Sequence, residues 1–246
     1  IFRNEGMDNR HNPEFTTIEL YQAYADFNDM MDLFEDLLSS AAQKILGTYQ
    51  VEWQGEQIDL TPGWPRLPMY EAVKQHTGLD FLAIDSDEEA VAAAKSIGVE
   101  LPDTADKTWG NALYEVFDQR VEGRLIQPTF ITMHPVDVSP LAKRSPKDPR
   151  LTERFELFIC RSEMGNAFSE LNDPIDQRQR FQKQVELRAK GDDEAGMMDE
   201  DFLTALEYGL PPTGGMGIGI DRCVMLLTNN DSIREVLLFP TMKPLD

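Results

Sequence analysis

Near its start the chain changes from one hydrophobic period to another. Residues 14–25 are rich in β-branched and aromatic side chains, which predicts a β-strand. From Asp26 to Gly47 the apolar residues recur at helical spacing, which predicts an amphipathic helix. Asp26 is suited to cap the first turn of that helix, and Asp29 adds negative charge there. Gly47 supplies the stop.

The rest of the chain predicts a mixture of short strands and helices. Residues 49–60 predict a hairpin, and residues 125–133 and 155–171 predict strands. The proline-rich residues 61–69 predict an irregular connection. Helices are predicted at 69–76, at 86–97, near 109–122, at 174–190 and from about Arg222.

This order of elements favours an α+β fold. Strands separated by long loops, with few strand–helix–strand units, predict a mostly antiparallel sheet flanked by helices. The helical segments within residues 79–122 predict a small insertion in that domain. No apolar run is long enough to span a bilayer, and the residues after Ile1 do not form a signal peptide. We therefore expect no transmembrane helix, in a chain whose earlier part is missing.

Charge and cysteine usage change this picture only slightly. The formal net charge is -21, whereas a nucleic-acid binder normally carries a basic face. Residues 80–106 and 192–201 carry net charges of -7 and -6, and we interpret both as solvated surface. The remainder is mildly acidic, so charge neither requires nor excludes an RNA partner. The two cysteines lie far apart in apolar surroundings, which favours reduced thiols in a cytosolic protein.

The first group of residues with candidate chemistry spans residues 2–15. A strand bearing Arg3, a polar loop and a returning strand that begins with Phe15 predict a two-stranded clamp. Arg3 could grip a phosphate through two hydrogen bonds, and Phe15 offers a face to a purine. In the strand that follows, Phe15, Glu19 and Tyr21 share one face. That face suits either a pocket for a cationic ligand or a solvent-facing surface.

A second group lies in residues 156–170, where three glutamates and an asparagine stand among apolar side chains. Asn166 and Glu170 fall on one face of the predicted strand. Burying an unpaired carboxylate is costly, so such acids usually face a cation, a metal or a basic ligand.

Glu156 and Glu163 differ in strand parity, so they share a site only if a turn or bulge lies near Arg161-Ser162. Paired acids beside a phosphate-binding arginine suit Mg²⁺, which prefers oxygen ligands and substrate phosphates. The structural alternative is an ion pair with Arg154 or Arg161.

The third group is the glycine-rich segment 211–222 (PPTGGMGIGIDR). Glycines at alternate strand positions, including Gly217 and Gly219, remove side chains from one face and allow a flat ligand to approach the backbone. Arg222 stands at the start of a helix, where the helix dipole and the guanidinium both favour a phosphate. The segment fits neither the P-loop nor GxGxxG pattern. A packing role for the glycines is the alternative.

The strings FRNEG…RHNPEF and GMGIGIDR together resemble motifs 2 and 3 of the class II aminoacyl-tRNA synthetases. The wording RHNPEFTTIELYQAYAD, MGNAFSELNDP and GLPPTGGMGIGIDR is similar to the lysyl members of that class. The resemblance covers nearly all of the chain. It implies that residues 1–246 are an incomplete class II catalytic domain, lacking the anticodon-binding domain and motif 1, which builds the dimer interface.

The resemblance also implies ATP-dependent activation of L-lysine to lysyl-adenylate and its transfer to tRNA(Lys), by a cytoplasmic homodimer that uses Mg²⁺. It implies that Arg3 and Arg222 are the catalytic residues and that no enzyme nucleophile is needed. It assigns ATP binding to Arg3, Glu5, His11, Asn12, Phe15, Gly217, Gly219 and Arg222, lysine binding to Glu19, Tyr21, Asn166 and Glu170, and Mg²⁺ binding to Glu156 and Glu163.

Two other functions stay open at this point. One is that of the paralogous lysine ligase that modifies elongation factor P, although the GLPPTGG string and residues 21–26 fit the tRNA enzyme better. The other is a non-catalytic, lysine-sensing module. Retention of Arg3, Arg222 and the two candidate metal ligands argues against a sensor, which needs no phosphate or metal groups.

Overall fold

The computed structural model describes residues 1–4, 6–191 and 195–241. Within these residues eight strands and seven α-helices form. The strands are β1 (Thr17–Ala23), β2 (Gln50–Trp53), β3 (Glu56–Asp59), β4 (Arg66–Pro68), β5 (Thr129–Thr132), β6 (Arg154–Ile159), β7 (Ser162–Ser169) and β8 (Thr213–Gly219). The helices are α1 (Phe27–Leu46), α2 (Met69–Thr77), α3 (Asp87–Ser96), α4 (Trp109–Arg120), α5 (Pro174–Ala189), α6 (Glu200–Tyr208) and α7 (Ile220–Thr228).

Six of these strands form one sheet in the order β1-β8-β7-β6-β5-β4. All neighbours are antiparallel except β4 and β5, which run parallel. The hairpin β2-β3 stands apart from this sheet. The predicted α+β fold with a mostly antiparallel sheet is therefore confirmed. No helix in the described part of the chain is long and apolar enough to cross a membrane.

Helix α1 covers one face of the sheet, and its ends are those that the sequence predicts. The side chain of Asp26 accepts hydrogen bonds from the N–H groups of Asn28 and Asp29, and Gly47 ends the helix in the left-handed conformation with a φ of 73°. Buried residues of α1, among them Phe34, pack against Phe130 of β5. Helix α1 therefore closes this face of the sheet to ligands.

In the described part of the chain, helices pack on the opposite face at its β5-β6 end. There α2, α3 and α4 share a second core with the sheet residues Ile131 and Phe158. The rings of Phe117 in α4 and Phe158 lie 5.6 Å apart, edge to face. Helices α3 and α4 come from the segment predicted as an insertion, residues 79–122. They therefore form a wall beside the part of the sheet made by β1, β8 and β7.

Several predicted boundaries were wrong. Residues 66–68, predicted as an irregular connection, form β4, because they pair in parallel with β5. The strand predicted at 125–133 begins only at Thr129, and the one predicted at 155–171 is two strands joined by a tight turn at Cys160-Arg161.

The acidic segment 192–201 was predicted as solvated surface. Its residues 192–194 lie outside the described residues, while Glu200 and Asp201 begin helix α6, which the sequence analysis missed. Two leucines of α6, Leu203 and Leu206, are buried. Both cysteines are buried and unpaired, as predicted.

A substitution at Gly165 of β7 tests the close contact between the sheet and α1. A Cβ atom there would collide with the backbone oxygen of Gly217 and come within 3.0 Å of the Phe34 ring. We expect Gly165→Ala to lower the free energy of unfolding by about 1–3 kcal/mol, as overpacking does in a rigid core. Urea denaturation measures this loss.

The matched control is Gly123→Ala, because a Cβ at Gly123 meets nothing within 4 Å. Equal stability of the two variants would contradict the proposed packing of β7 against β8 and α1.

Candidate active site

A cleft of about 140 Å³ lies over the part of the sheet formed by β1, β8 and β7. Strand β8 runs along its floor between β1 and β7. A Cβ atom at Gly217 would lie 3.1 Å from a carboxylate oxygen of Glu19, and one at Gly215 would collide with the Glu170 carboxylate. The glycines therefore make room for two acidic side chains directly over the strand backbone. This close approach favours a role beyond packing.

The strand register gathers residues that are far apart in sequence. Glu19 of β1 is paired with Gly217, Gly217 with Asn166 of β7, and Asn166 with Glu156 of β6. Because directly opposed residues of an antiparallel pair share a face, these side chains form one row across four strands. Tyr21, paired with Gly215, begins the next row. The predicted shared face of Glu19 and Tyr21 is therefore confirmed, and the register places Asn166 on the same face of the sheet.

Glu163 joins this face because β7 contains a bulge. Leu157 is paired with Gly165, but the next residue of β6, Phe158, is paired with Glu163, so Met164 has no opposite residue. Beyond this extra residue, the side chains of β7 point to the opposite face from the one that regular alternation would give. The irregularity that the parity of Glu156 and Glu163 requires is present, but at Met164 rather than at Arg161-Ser162. Met164 packs in the core under the sheet.

One end of the cleft carries arginines and an aromatic ring. The guanidinium carbon of Arg3 lies 5.2 Å from the centre of the Phe15 ring. Arg222, in the first turn of α7, donates from Nη1 to the backbone oxygen of Glu163, and its Nη2 lies 3.2 Å from Nε2 of His11. The helix dipole adds positive potential there. This end can bind a polyanion that carries a flat ring.

Helix α7 and the start of β1 are tied together beside these arginines. The carboxylate of Asp221 accepts a hydrogen bond of 2.7 Å from the backbone N–H of Thr16. The N–H of Ile220 donates to the Thr16 carbonyl at 3.0 Å. These two bonds fix the position of Arg222 relative to Phe15.

The other end of the cleft is acidic. Burial, and secondarily the charge of Glu19, raise the pKa of Glu170 to about 7. Burial and the charges of Glu170 and Glu19 also raise the pKa of Tyr21. Both shifts show that negative charge here is poorly compensated by the protein. A cationic ligand would supply the missing compensation.

Glu156 is buried and forms an ion pair with Arg154. Arg154 also donates to the backbone oxygen of Val138 and to Ser139 Oγ. The structural alternative raised for Glu156 is thus present. Burial and the charge of Glu156 raise the pKa of Glu163, which shows that the two carboxylates are close enough to interact. In the described ranges no group of three or more His, Cys, Asp and Glu side chains could hold a metal ion.

Most of the predicted site residues line this one cleft. They are Arg3, His11, Asn12, Phe15, Glu19, Glu163, Asn166, Gly217, Gly219 and Arg222. Tyr21 and Glu170 lie beside it over Gly215. Glu5 lies outside the described residues.

The sequence analysis missed other residues at this site. Arg10 and Asp221 both line the cleft. Glu122, at the end of the helical wall, has its pKa raised to about 7 by burial and by Asp118, Glu156 and Glu163. Arg10 and Asp221 stand inside the two motif strings, so their position could have indicated them. Glu122 gives no such signal, because only the fold brings it near the glutamates.

Comparison with known proteins relates the chain to one family. The family profile described as tRNA synthetases class II (D, K and N) matches residues 1–243. A lysine–tRNA ligase of Pelotomaculum thermopropionicum is 60% identical over 243 residues, which are 99% of this chain and 48% of that protein. One of Staphylococcus haemolyticus is 59% identical over 99% of this chain and 49% of that protein. The chain thus spans about half the length of the curated relatives it matches.

The acidic end of the cleft should make stability depend on pH. Native Glu170 holds its proton up to a pKa of about 7, whereas its unperturbed pKa is 4.5. The contribution of a raised carboxyl pKa is therefore favourable at low pH and lost as the pH rises from about 4.5 to about 7. We expect Glu170→Gln to become progressively more stable than wild type between about pH 5 and pH 8, measured by urea unfolding.

Glu207→Gln on the exposed side of α6 is the matched control, and it should show no such trend. A stability difference for Glu170→Gln that stays constant over this pH range would rule out the raised pKa.

Proposed function

This chain belongs to the class II tRNA synthetases (D, K and N), and on that premise we propose that it activates L-lysine with ATP and transfers it to tRNA(Lys). The observation that carries the proposal is the division of one cleft into an acidic end and a cationic, aromatic end. The acidic end suits the ammonium group of lysine, and the cationic end suits a nucleotide. The relatives named as lysine–tRNA ligases support the same reaction.

The lysine side chain is proposed to lie over Gly215 and Gly217. Its ε-ammonium would pair with Glu170, whose raised pKa of about 7 reflects a buried carboxylate that lacks a counter-charge. Tyr21 and Glu19 would supply further acceptors, and Asn166 would complete the pocket. Binding of a cation would lower the pKa of Glu170 and hold it ionised.

ATP is proposed to bind at the other end of the cleft. Its adenine would stack on Phe15, with Arg222 on its other side and near the γ-phosphate. Arg3 would hold the α-phosphate, while His11 and Asn12 would contact the nucleotide. Asn12 is buried and donates to the Glu14 carbonyl at 2.7 Å. Glu5, Gly217 and Gly219 complete the proposed ATP site.

The reaction follows from bringing these two substrates together. A carboxylate oxygen of lysine would attack the α-phosphorus in line, form the new P–O bond and expel pyrophosphate. Arg3 and Arg222 would stabilise the charge that develops on the phosphates, and the glycine floor would let both substrates lie flat against β8. The ribose hydroxyl at the end of the tRNA would then take the lysyl group and release AMP. No side chain need form a covalent intermediate.

Glu156 and Glu163 fit the role of Mg²⁺ ligands together with substrate phosphates. Two interacting carboxylates, one of them lining the cleft, form an oxygen donor set of the kind that Mg²⁺ prefers. When bound, the ion would neutralise phosphate charge. Arg154 would keep Glu156 in place at the back of the site.

The remaining assignments concern the protein as a whole. We infer that residues 1–246 are part of a class II catalytic domain, that residues 79–122 are an insertion in it, and that an anticodon-binding domain and motif 1 belong to the longer protein. The full-length enzyme would be a cytoplasmic homodimer. The relatives' length, about twice that of the chain, supports the inference that further domains belong to the longer protein.

Lysine-dependent exchange of pyrophosphate into ATP tests the proposed function directly. It would be measured on this chain and on a version extended to the full length of its relatives. We expect exchange to require lysine, followed by transfer of labelled lysine to tRNA. Label that appears only on protein would instead indicate a ligase acting on a protein, and no exchange in the extended version would favour a sensor.

The variant Glu170→Gln tests the proposed lysine-binding role of Glu170 in the same assay. Loss of the charged partner of the ammonium should raise the KM for lysine about 10- to 100-fold and leave the KM for ATP nearly unchanged. Glu207→Gln serves again as the matched control. Equal losses for lysine and ATP would contradict the assigned role of Glu170.

A further inference from the structure

A chain of polar contacts links the loop before β1 to Arg222. His11 Nδ1 lies 2.9 Å from Asp8 Oδ2, and His11 Nε2 lies 3.2 Å from Arg222 Nη2. Arg222 is separated from His11 by 211 positions in sequence. Asp8 does not line the cleft and belongs to none of the motif assignments above. The imidazole ring of His11 connects the carboxylate of Asp8 to the Arg222 side chain.

The donors and acceptors of this chain of contacts determine the protonation of the ring. A guanidinium can only donate hydrogen bonds, so His11 Nε2 must accept from Arg222. The proton of the neutral imidazole therefore resides on Nδ1, and that N–H donates to Asp8, whose carboxylate accepts. The alternative tautomer would point an N–H of His11 at an N–H of Arg222. The ring thus has one tautomer that satisfies both neighbours.

The carboxylate of Asp8 is itself held in place by the loop. Its Oδ1 accepts from the backbone N–H groups of Arg10 at 2.6 Å and His11 at 2.7 Å. The N–H of Asp8 donates back to the His11 carbonyl at 3.2 Å. Although burial opposes it, the hydrogen bonds from His11 and Arg10 hold the pKa of Asp8 below its ordinary value. Asp8 therefore remains an ionised acceptor.

We propose that Asp8 is a positioning residue that fixes His11 as the Nδ1–H tautomer, so that His11 Nε2 accepts from Arg222 and orients its guanidinium in the cleft. The arrangement is the one in which a carboxylate accepts from one ring nitrogen of a histidine and so sets the state of the other nitrogen, which faces the site. The consequence for ATP binding rests on the proposed function. The tautomer itself does not, because it follows from contacts within the chain.

Replacement of Asp8 by asparagine tests its effect on the His11 tautomer while keeping the hydrogen bonds of the turn. The two backbone N–H groups require an oxygen at the Oδ1 position, which asparagine also supplies. Its amide nitrogen then takes the Oδ2 position, 2.9 Å from His11 Nδ1. That nitrogen only donates, so it opposes a proton on Nδ1, although the oxygen at the Oδ1 position, 3.0 Å from Nδ1, can still accept from one. Asp8→Asn should therefore keep the loop and shift the tautomer equilibrium from Nδ1–H towards Nε2–H.

Nuclear magnetic resonance of the ¹⁵N-labelled chain reads the tautomer directly through long-range ¹H–¹⁵N correlations of the imidazole rings. The spectrum would be recorded at about pH 8, where an ordinary imidazole is neutral. The chain has only three histidines. His76 Nδ1 faces the Ala72 carbonyl at 2.9 Å and His134 Nε2 faces the Ile131 carbonyl at 3.1 Å, so they serve as internal references for the two tautomers.

We expect His11 to match the His76 pattern in the wild-type chain and to shift towards the His134 pattern in Asp8→Asn. His11→Gln assigns the signals, and Asp103→Asn, at an exposed position, is the matched control that should leave the His11 pattern unchanged. An Nε2–H tautomer in the wild-type chain, or an unchanged Nδ1–H tautomer in Asp8→Asn, would overturn the proposal. Equal thermal midpoints of the variants establish that the fold is intact.

Pyrophosphate exchange then tests the positioning role. Asp8→Asn should lower kcat/KM for ATP about three- to tenfold, with the KM for lysine within about twofold of wild type. An unchanged kcat/KM for ATP in a variant whose tautomer equilibrium has shifted would overturn the role of Asp8 in orienting Arg222. Absence of exchange in the wild-type protein would count against the proposed function and leave the tautomer assignment standing.

Discussion

The structure depends on a strand, β8, whose cleft-facing positions are almost all glycine and which has a further glycine where it meets α1. At Gly214 a Cβ would come within 2.9 Å of Met30 in α1, and at Gly217 it would come within 3.1 Å of Glu19 on the other side. Strand β8 can therefore lie against a helix below and hold acidic side chains and ligands above. A residue with a side chain at either glycine would push apart the layers that form the cleft.

Charge is divided along the cleft, and this division lowers the folding stability of the protein. Arg3 and Arg222 line one end, while Glu19 lines the other and Glu170, with a pKa of about 7, lies beside it. A core built only for stability would give Glu170 a charged partner or replace it. In the proposed function this division would let one cleft distinguish a phosphate from an ammonium group, and bound lysine would supply the counter-charge of Glu170.

The sequence was informative where local patterns determine structure and less so where pairing does. Asp26 and Gly47 bound α1 as predicted, because caps act within one turn. Residues 66–68 were not recognisable as β4, because only a distant parallel partner makes them a strand. The face shared by Glu19 and Tyr21 followed from strand alternation, whereas the alignment of Asn166 with them, the bulge at Met164 and the approach of Glu122 to the glutamates arise from strand pairing and tertiary packing.

The central claim is that one cleft holds lysine at its acidic end and the nucleotide at its cationic end. A crystal structure of the protein with a non-hydrolysable analogue of lysyl-adenylate tests this most directly. The account predicts the ammonium group within hydrogen-bonding distance of Glu170, the adenine ring stacked on Phe15, and the linking group over Gly217 beside Arg3. An analogue bound in the reverse orientation, or outside this cleft, would contradict it.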